Sequence, residues 1–147
     1  MQVRIKFLIF LIILALSVSC VSGVKVTEVA QSLDEIRASI QTLAVDFKQV
    51  NQNRRIYESR YFARDPQKKF DSESAPERLF ARFSILGDRR PYEILVQVFV
   101  EKKDPKTGEY VFSGEDEQLA TQIANDLVRI LIKSRAERNA IDSFRVF

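Results

Sequence analysis

The sequence predicts an α+β domain: an antiparallel sheet of about four strands in a meander, covered by two amphipathic helices. Three observations carry this. Apolar residues recur at every second position over 78–86 and 92–102, the period of a half-buried strand. Leu119, Ile123, Leu127, Ile130, Leu131 and Ser134 recur at helical spacing, widened by Ala120, Ala124 and Val128. A third run, from Val26 to Val50, repeats every seven residues.

The first 23 residues are set apart. Arg4 and Lys6 precede an unbroken apolar run from Phe7 to Leu16, and small residues then lead into Cys20. This is the layout of an export signal. Leu16-Ser17-Val18-Ser19-Cys20 resembles the end of a bacterial lipoprotein signal, with Ser17 standing where Leu is usual. The resemblance covers about the first 20 residues. It implies a signal peptide over 1–19, a fatty-acylated (palmitate-type) thioether on Cys20 and a membrane tether over 20–25. Two acyl chains or more hold a protein on a bilayer, whereas one holds it weakly. The alternatives are an uncleaved anchor, since Phe7–Val24 is long enough to span, and a cleaved, unanchored chain. All three place the remainder outside the cytoplasm, in the bacterial envelope, facing the periplasm or the outer surface.

Residues 26–147 form one domain on grounds of length. The heptad run Val26, Val29, Leu33, Ile36, Ile40, Leu43, Phe47 and Val50 steps by three and four throughout, uninterrupted by Pro or Gly. It predicts a helix over 26–53, with Thr27 or Ser32 as its cap. The stripe serves either the protein's own sheet or a coiled coil between copies, a homo-oligomer. A lipid followed by a heptad helix is similar, in that respect, to small murein-type lipoproteins.

Strands are expected within 54–112. Over 54–64 the sequence reads either as a strand, with Tyr57, Ser59, Tyr61 and Ala63 on one face, or as a continuation of the helix; Tyr and Phe favour the strand. Asp65–Pro76 is a polar loop. Arg78–Leu86 turns Leu79, Ala81, Phe83 and Ile85 to one side. After Gly87–Arg90 the strand from Tyr92 to Lys102 aligns Tyr92, Ile94, Val96, Val98 and Val100, with Leu95 and Phe99 among the polar residues opposite. Asp104–Gly108 is a turn, and Glu109–Phe112 returns. Ser113 caps a helix over 114–139 whose acids Glu115, Asp116 and Glu117 suit its positive end. Ile141–Phe147 is expected to close with a short strand.

Composition narrows function more by exclusion. Two of the 23 basic residues lie in the leader, leaving 21 against 20 acids, so no general attraction to nucleic acid is expected. There is no His and one Cys. That removes His-based triads, Cys/His zinc sites and internal disulfides. No Gly-rich phosphate loop or nucleophile elbow appears, and no cofactor or metal is expected. Asp71–Glu73 and Glu115–Glu117 read as a solvated loop and a helix start; Arg89, Arg90, Lys102, Lys103 and Lys106 read as turn solvation. The basic-aromatic stretch Arg54, Arg55, Tyr57, Arg60, Tyr61 and Arg64, continuing to Lys68 and Lys69, is the candidate contact surface. It suits phosphate headgroups, glycans or an acidic partner, or else a charged edge strand.

The expected function is a non-catalytic envelope lipoprotein, an accessory or scaffold within a membrane-associated assembly, with a protein partner. The hairpin, acidic helix start and long helix over 78–138 are loosely similar in topology to transport-auxiliary and lipopolysaccharide-assembly lipoproteins, with no diagnostic motif. The alternatives are a binding module for a lipidic or apolar ligand between sheet and helices, and a self-assembling coiled-coil lipoprotein.

Overall fold

The structure, a computed structural model, describes residues 22–43, 47–49, 53–65 and 70–144, with side chains over 22–43, 53–65 and 70–136. The order is β1 (Val24–Val29), α1 (Leu33–Leu43), β2 (Phe47–Gln49), β3 (Ile56–Ser59), β4 (Glu77–Leu86), β5 (Tyr92–Lys103), β6 (Tyr110–Glu115) and α2 (Glu117–Phe144).

The fold is α+β with an antiparallel sheet ordered β1-β5-β4-β3-β2, and β6 also pairs with β5. β5 is long enough to take two partners on one edge. β1 lies against Tyr92–Val96 and β6 against Phe99–Lys103, end to end. β3 through β6 form the expected meander; β1 and β2 add to it.

β4 and β5 pair along ten positions, from Glu77↔Lys102 to Leu86↔Glu93. Their alternation sends Leu79, Ala81, Phe83 and Ile85, with Tyr92, Ile94, Val96, Val98 and Val100, to one buried side. Both helices cover that side. Ile36 and Ile40 from α1, and Ala120, Ala124, Leu127 and Leu131 from α2, complete the core. Each fully buried large side chain there contributes about 1.5–3 kcal/mol.

The continuous helix expected over 26–53 is replaced by strand, helix and strand. Two local devices cause this. Between Val26↔Ile94 and Val29↔Tyr92, two residues, Thr27 and Glu28, oppose the single Glu93. Glu28 takes a left-handed φ of 58° at this bulge. The extra residue returns Val29 to the core side three positions after Val26, so a strand imitates a helical step. Ser32 and Glu35 then form a capping box. The Ser32 amide donates to Glu35 Oε2 at 2.7 Å and the Glu35 amide donates to Ser32 Oγ at 3.4 Å. Those bonds satisfy donors that only a helix start leaves open. The seam residues are accordingly split. Val26 and Val29 are in β1, Leu33, Ile36, Ile40 and Leu43 in α1, Phe47 in β2, and Val50 lies outside the described residues. Val26, Val29, Ile36 and Ile40 are buried against the protein's own sheet; the coiled-coil reading of this seam does not fit that placement.

Three further expectations are corrected. The 20–25 tether overlaps β1, which starts at Val24. The helix expected over 114–139 runs from Glu117 to Phe144, because Ser113 bulges out of β6 between Glu101↔Phe112 and Val100↔Gly114 and the ladder continues to Glu115. Asp116 caps α2 instead, its Oδ1 accepting the Leu119 amide at 2.9 Å. The closing strand at 141–147 is not formed, since α2 extends to Phe144; residues 145–147 lie outside the described residues. Among the described residues no helix is long and apolar enough to cross a membrane.

Candidate functional site

The sheet has two faces and the helices cover one. Alternation sends Arg78, Phe80 and Arg82 of β4, and Leu95, Gln97, Phe99 and Glu101 of β5, to the other. Because Phe80 is directly opposite Phe99, their rings stack, with centroids 5.0 Å apart and planes 20° from parallel. Phe112 of β6 joins Phe99 at 6.1 Å and Tyr61 meets Phe80 edge-on at 5.7 Å. An aromatic row thus crosses four neighbouring chain segments on the face that carries no helix. Phe112 is 65% exposed and Tyr61 38%.

Tyr61 reaches this row through a slip in alternation. Between Glu58↔Arg82 and the bridge Phe62↔Leu79, its strand has one residue more than β4. Ser59 fills the break, its Oγ accepting the Ala81 amide at 2.9 Å. Tyr57 therefore enters the core while Tyr61 faces out, so the two do not share a face as the alternation over 57–63 had suggested.

Guanidinium groups are threaded through the row. Arg78 lies between the rings of Tyr61 and Tyr110, 3.8 and 3.7 Å from their centroids, and its Nε donates to Glu101 at 2.7 Å. Arg82 lies 4.8 Å from the Phe99 centroid and donates twice to Glu58 Oε1, at 2.8 and 2.5 Å. Each cation thus has an aromatic face and a carboxylate. The Tyr61 hydroxyl is held above its ordinary pKa, first by partial burial and then by the Glu101 carboxylate.

The loop before β4 borders the row. Asp71 folds it: its carboxylate accepts the Ser74 hydroxyl at 2.7 Å and the Glu73 amide at 3.0 Å, bonds that hold Asp71 below the usual carboxylate range, the first more than the second. Lys103 Nζ donates to the Glu73 carbonyl at 2.7 Å and the Tyr110 hydroxyl to the Ala75 carbonyl at 2.5 Å, docking the loop on the sheet. Between Phe70–Ser72 and the Glu58–Tyr61 segment lies an open cleft of about 550 Å³, floored by Phe80. A ligand space was expected between sheet and helices; a smaller pocket of about 250 Å³ lies there, between β1 and α2, while this larger cleft is on the opposite face.

The basic-aromatic stretch is scattered rather than gathered. The Arg54 carbonyl accepts from the Arg37 guanidinium at 3.3 and 3.2 Å and from the Tyr57 hydroxyl at 3.0 Å. Arg55 donates to the Gly87 carbonyl and sits 5.9 Å from the Tyr92 ring centroid. Arg60 is exposed beside the cleft. Arg64 pairs with Glu77 at 3.3 Å and with Asp116. Burial opposes the Arg64 charge, and its hydrogen bonds to Asp116 and Glu77 outweigh that, so its pKa is raised. Asp116 is lowered, first by the Leu119 amide and also by Arg64, against the opposing effect of burial. Lys68, Lys69 and Cys20 lie outside the described residues. Only Tyr61 of the stretch belongs to the aromatic row. Arg78, Phe80, Arg82, Phe112 and Tyr110 were not singled out by the sequence. The available signal was aromatic residues on the polar side of strands, as Phe99 is.

The N-terminal end of the described chain also lies on this face. The Ser22 carbonyl accepts from Gln97 Nε2 at 2.9 Å. A Cβ on Gly23 would come 2.7 Å from Gln97 Cγ and 2.9 Å from Leu95 Cδ1. With φ at 133°, only glycine fits the backbone this closely across β5. Leu95, beside this contact, is buried.

Chemically, the face offers π-surfaces and neutralised ion pairs. Among the described residues no group of three or more His, Cys, Asp or Glu is placed to hold a metal. Comparison with protein-family models, curated proteins and solved structures returned no match.

Proposed function

We propose that the chain is a non-catalytic lipoprotein of the bacterial envelope, acylated at Cys20, whose domain serves a membrane-associated assembly as an accessory or scaffold. The observation that carries this reading is the pinning of Ser22 and Gly23 on β5. Cys20 precedes Ser22 by two residues, a span of at most about 7 Å. A lipid there would hold the domain at the bilayer with almost no slack, as a scaffold requires. The low-slack attachment, and a sheet face left uncovered among the described residues with its charges paired, support a role in contact rather than in chemistry.

The test is the intact mass of the protein purified from its native envelope, beside fractionation of Cys20→Ser. A mature chain beginning at Cys20 with added acyl mass, and release or misprocessing of the Ser variant, are expected. An unmodified cytosolic chain, or a Ser variant processed and retained as the parent is, contradicts the reading.

A second reading is favoured by the cleft beside Phe70, Tyr61 and Phe80, which offers an apolar wall next to hydrogen-bonding groups for a small lipidic ligand. Saturable binding of such a ligand that Phe80→Asp abolishes, in a folded protein, would support it over the scaffold role.

A further inference from the structure

Two helices cover one face of the sheet, and the other carries a partly exposed aromatic row. We propose that the occupant of this open face is the phospholipid headgroup layer of the same leaflet that holds the anchor, so that the domain lies with the Phe99–Phe112 end of its open face on the membrane. This rests on acylation of Cys20 and deepens it by fixing an orientation.

The described chain begins at the decisive place. Ser22 is bonded to Gln97, an open-face residue two positions from Phe99 on β5. Phe99 leads directly to Phe112. With Cys20 acylated, two residues before Ser22, the lipid is tethered within about 7 Å of the Ser22 position on this face. With so short a connection, the surface around Gln97 must approach the headgroups. The helical side, on the far side of the sheet, must point away from them.

The chemistry of the surface fits that occupant. Headgroup layers accommodate aromatic rings that are apolar in body and tolerate polar neighbours. They also accept guanidinium groups whose stems lie along apolar surface. Arg78 and Arg82 are already compensated by Glu101 and Glu58, so the face reaches the interface without exposing uncompensated charge from these groups. A glycan strand or a second copy of the chain would use the same rings, but neither is brought there by the anchor.

The helical side supplies a matched control. Ile132 of α2 is 64% exposed and Phe112 is 65% exposed. Hydroxyl-radical footprinting of the unsubstituted, acylated protein on phosphatidylethanolamine–phosphatidylglycerol vesicles compares them, each corrected for its intrinsic reactivity. At less than one chain per vesicle, Phe112 should be oxidised at least about fivefold more slowly than Ile132, as expected for a ring in the interface. Equal rates on an acylated, vesicle-bound chain overturn the orientation and leave the anchor standing. Protection of Phe112 that appears only at high surface density assigns the face to a second copy and also overturns it. Absence of acyl mass on Cys20 removes the anchor, and the orientation with it.

Discussion

The two faces of one sheet use the same strands for opposite purposes. On the helix side, Phe83, Leu79, Ile94, Val96 and Val98 are sealed by α1 and α2. On the other, Phe80, Phe99 and Phe112 form a row of rings interleaved with Arg78 and Arg82. Phe80 and Phe83 lie three residues apart on β4, yet one packs in the core and the other sits on a surface. What separates them is the parity of the strand. The lesson is that residue type alone does not distinguish a core aromatic from a contact aromatic; the layer above it does.

The largest expected effect tests this difference directly. Phe83→Ala should lower unfolding free energy by about 3–5 kcal/mol, since it opens a cavity in a sealed core. Phe80→Ala should cost only about 1 kcal/mol, the scale of a surface ring pair. Urea unfolding of both variants checks this, and equal losses would erase the distinction between the faces.

Next in size is Gly23→Ala. The added methyl meets Gln97 and Leu95, and φ there is unfavourable for any L side chain. A loss of about 1–3 kcal/mol is expected, with faster amide exchange in β1. Unchanged exchange would mean that Ser22 and Gly23 are not clamped on the open face.

The helix side is sharpened by Ser32→Ala. It removes one half of the capping box and should cost about 1 kcal/mol, read by urea unfolding. No loss would reopen the question of where the first helix starts.

The smallest effect is on pH. The Asp116 carboxyl is lowered in the fold, so its contribution is present above the ordinary Asp pKa of 3.8 and is lost as pH falls through the lower folded value. Asp116→Asn keeps a capping oxygen but removes this titration. Below about pH 4 its stability should fall less steeply with acid than the parent's; parallel acid profiles would show that the Asp116 charge adds nothing.

The sequence made the central hairpin legible because its information is local. Leu79 to Ile85 and Tyr92 to Val100 each place an apolar residue at every second position, and two long strands joined by a short turn pair antiparallel. The N-terminal run was misread because its steps of three and four arise from different causes: a bulge at Glu28 between Val26 and Val29, and true helical spacing from Leu33 to Leu43. The capping box at Ser32 and Glu35 was the sign that the helix begins there. The aromatic row was not legible, for its members come from separate strands. Phe80 meets Phe99 and Phe112 reaches Phe99 only by register, Phe112 standing opposite Glu101, and Tyr61 joins only through the slip at Ser59. Such shifts are set by tertiary pairing, which no short window of sequence reports.

The most direct test uses the absence of Trp from the chain. Phe112→Trp and Ile132→Trp each install a single emitter, one on each side of the sheet. In the acylated protein on vesicles with brominated acyl chains, Trp emission from the first should shift to the blue and be quenched, while the second should emit as in water. Equal, unquenched emission from both positions on a membrane-bound chain would contradict the assignment of the open face to the bilayer.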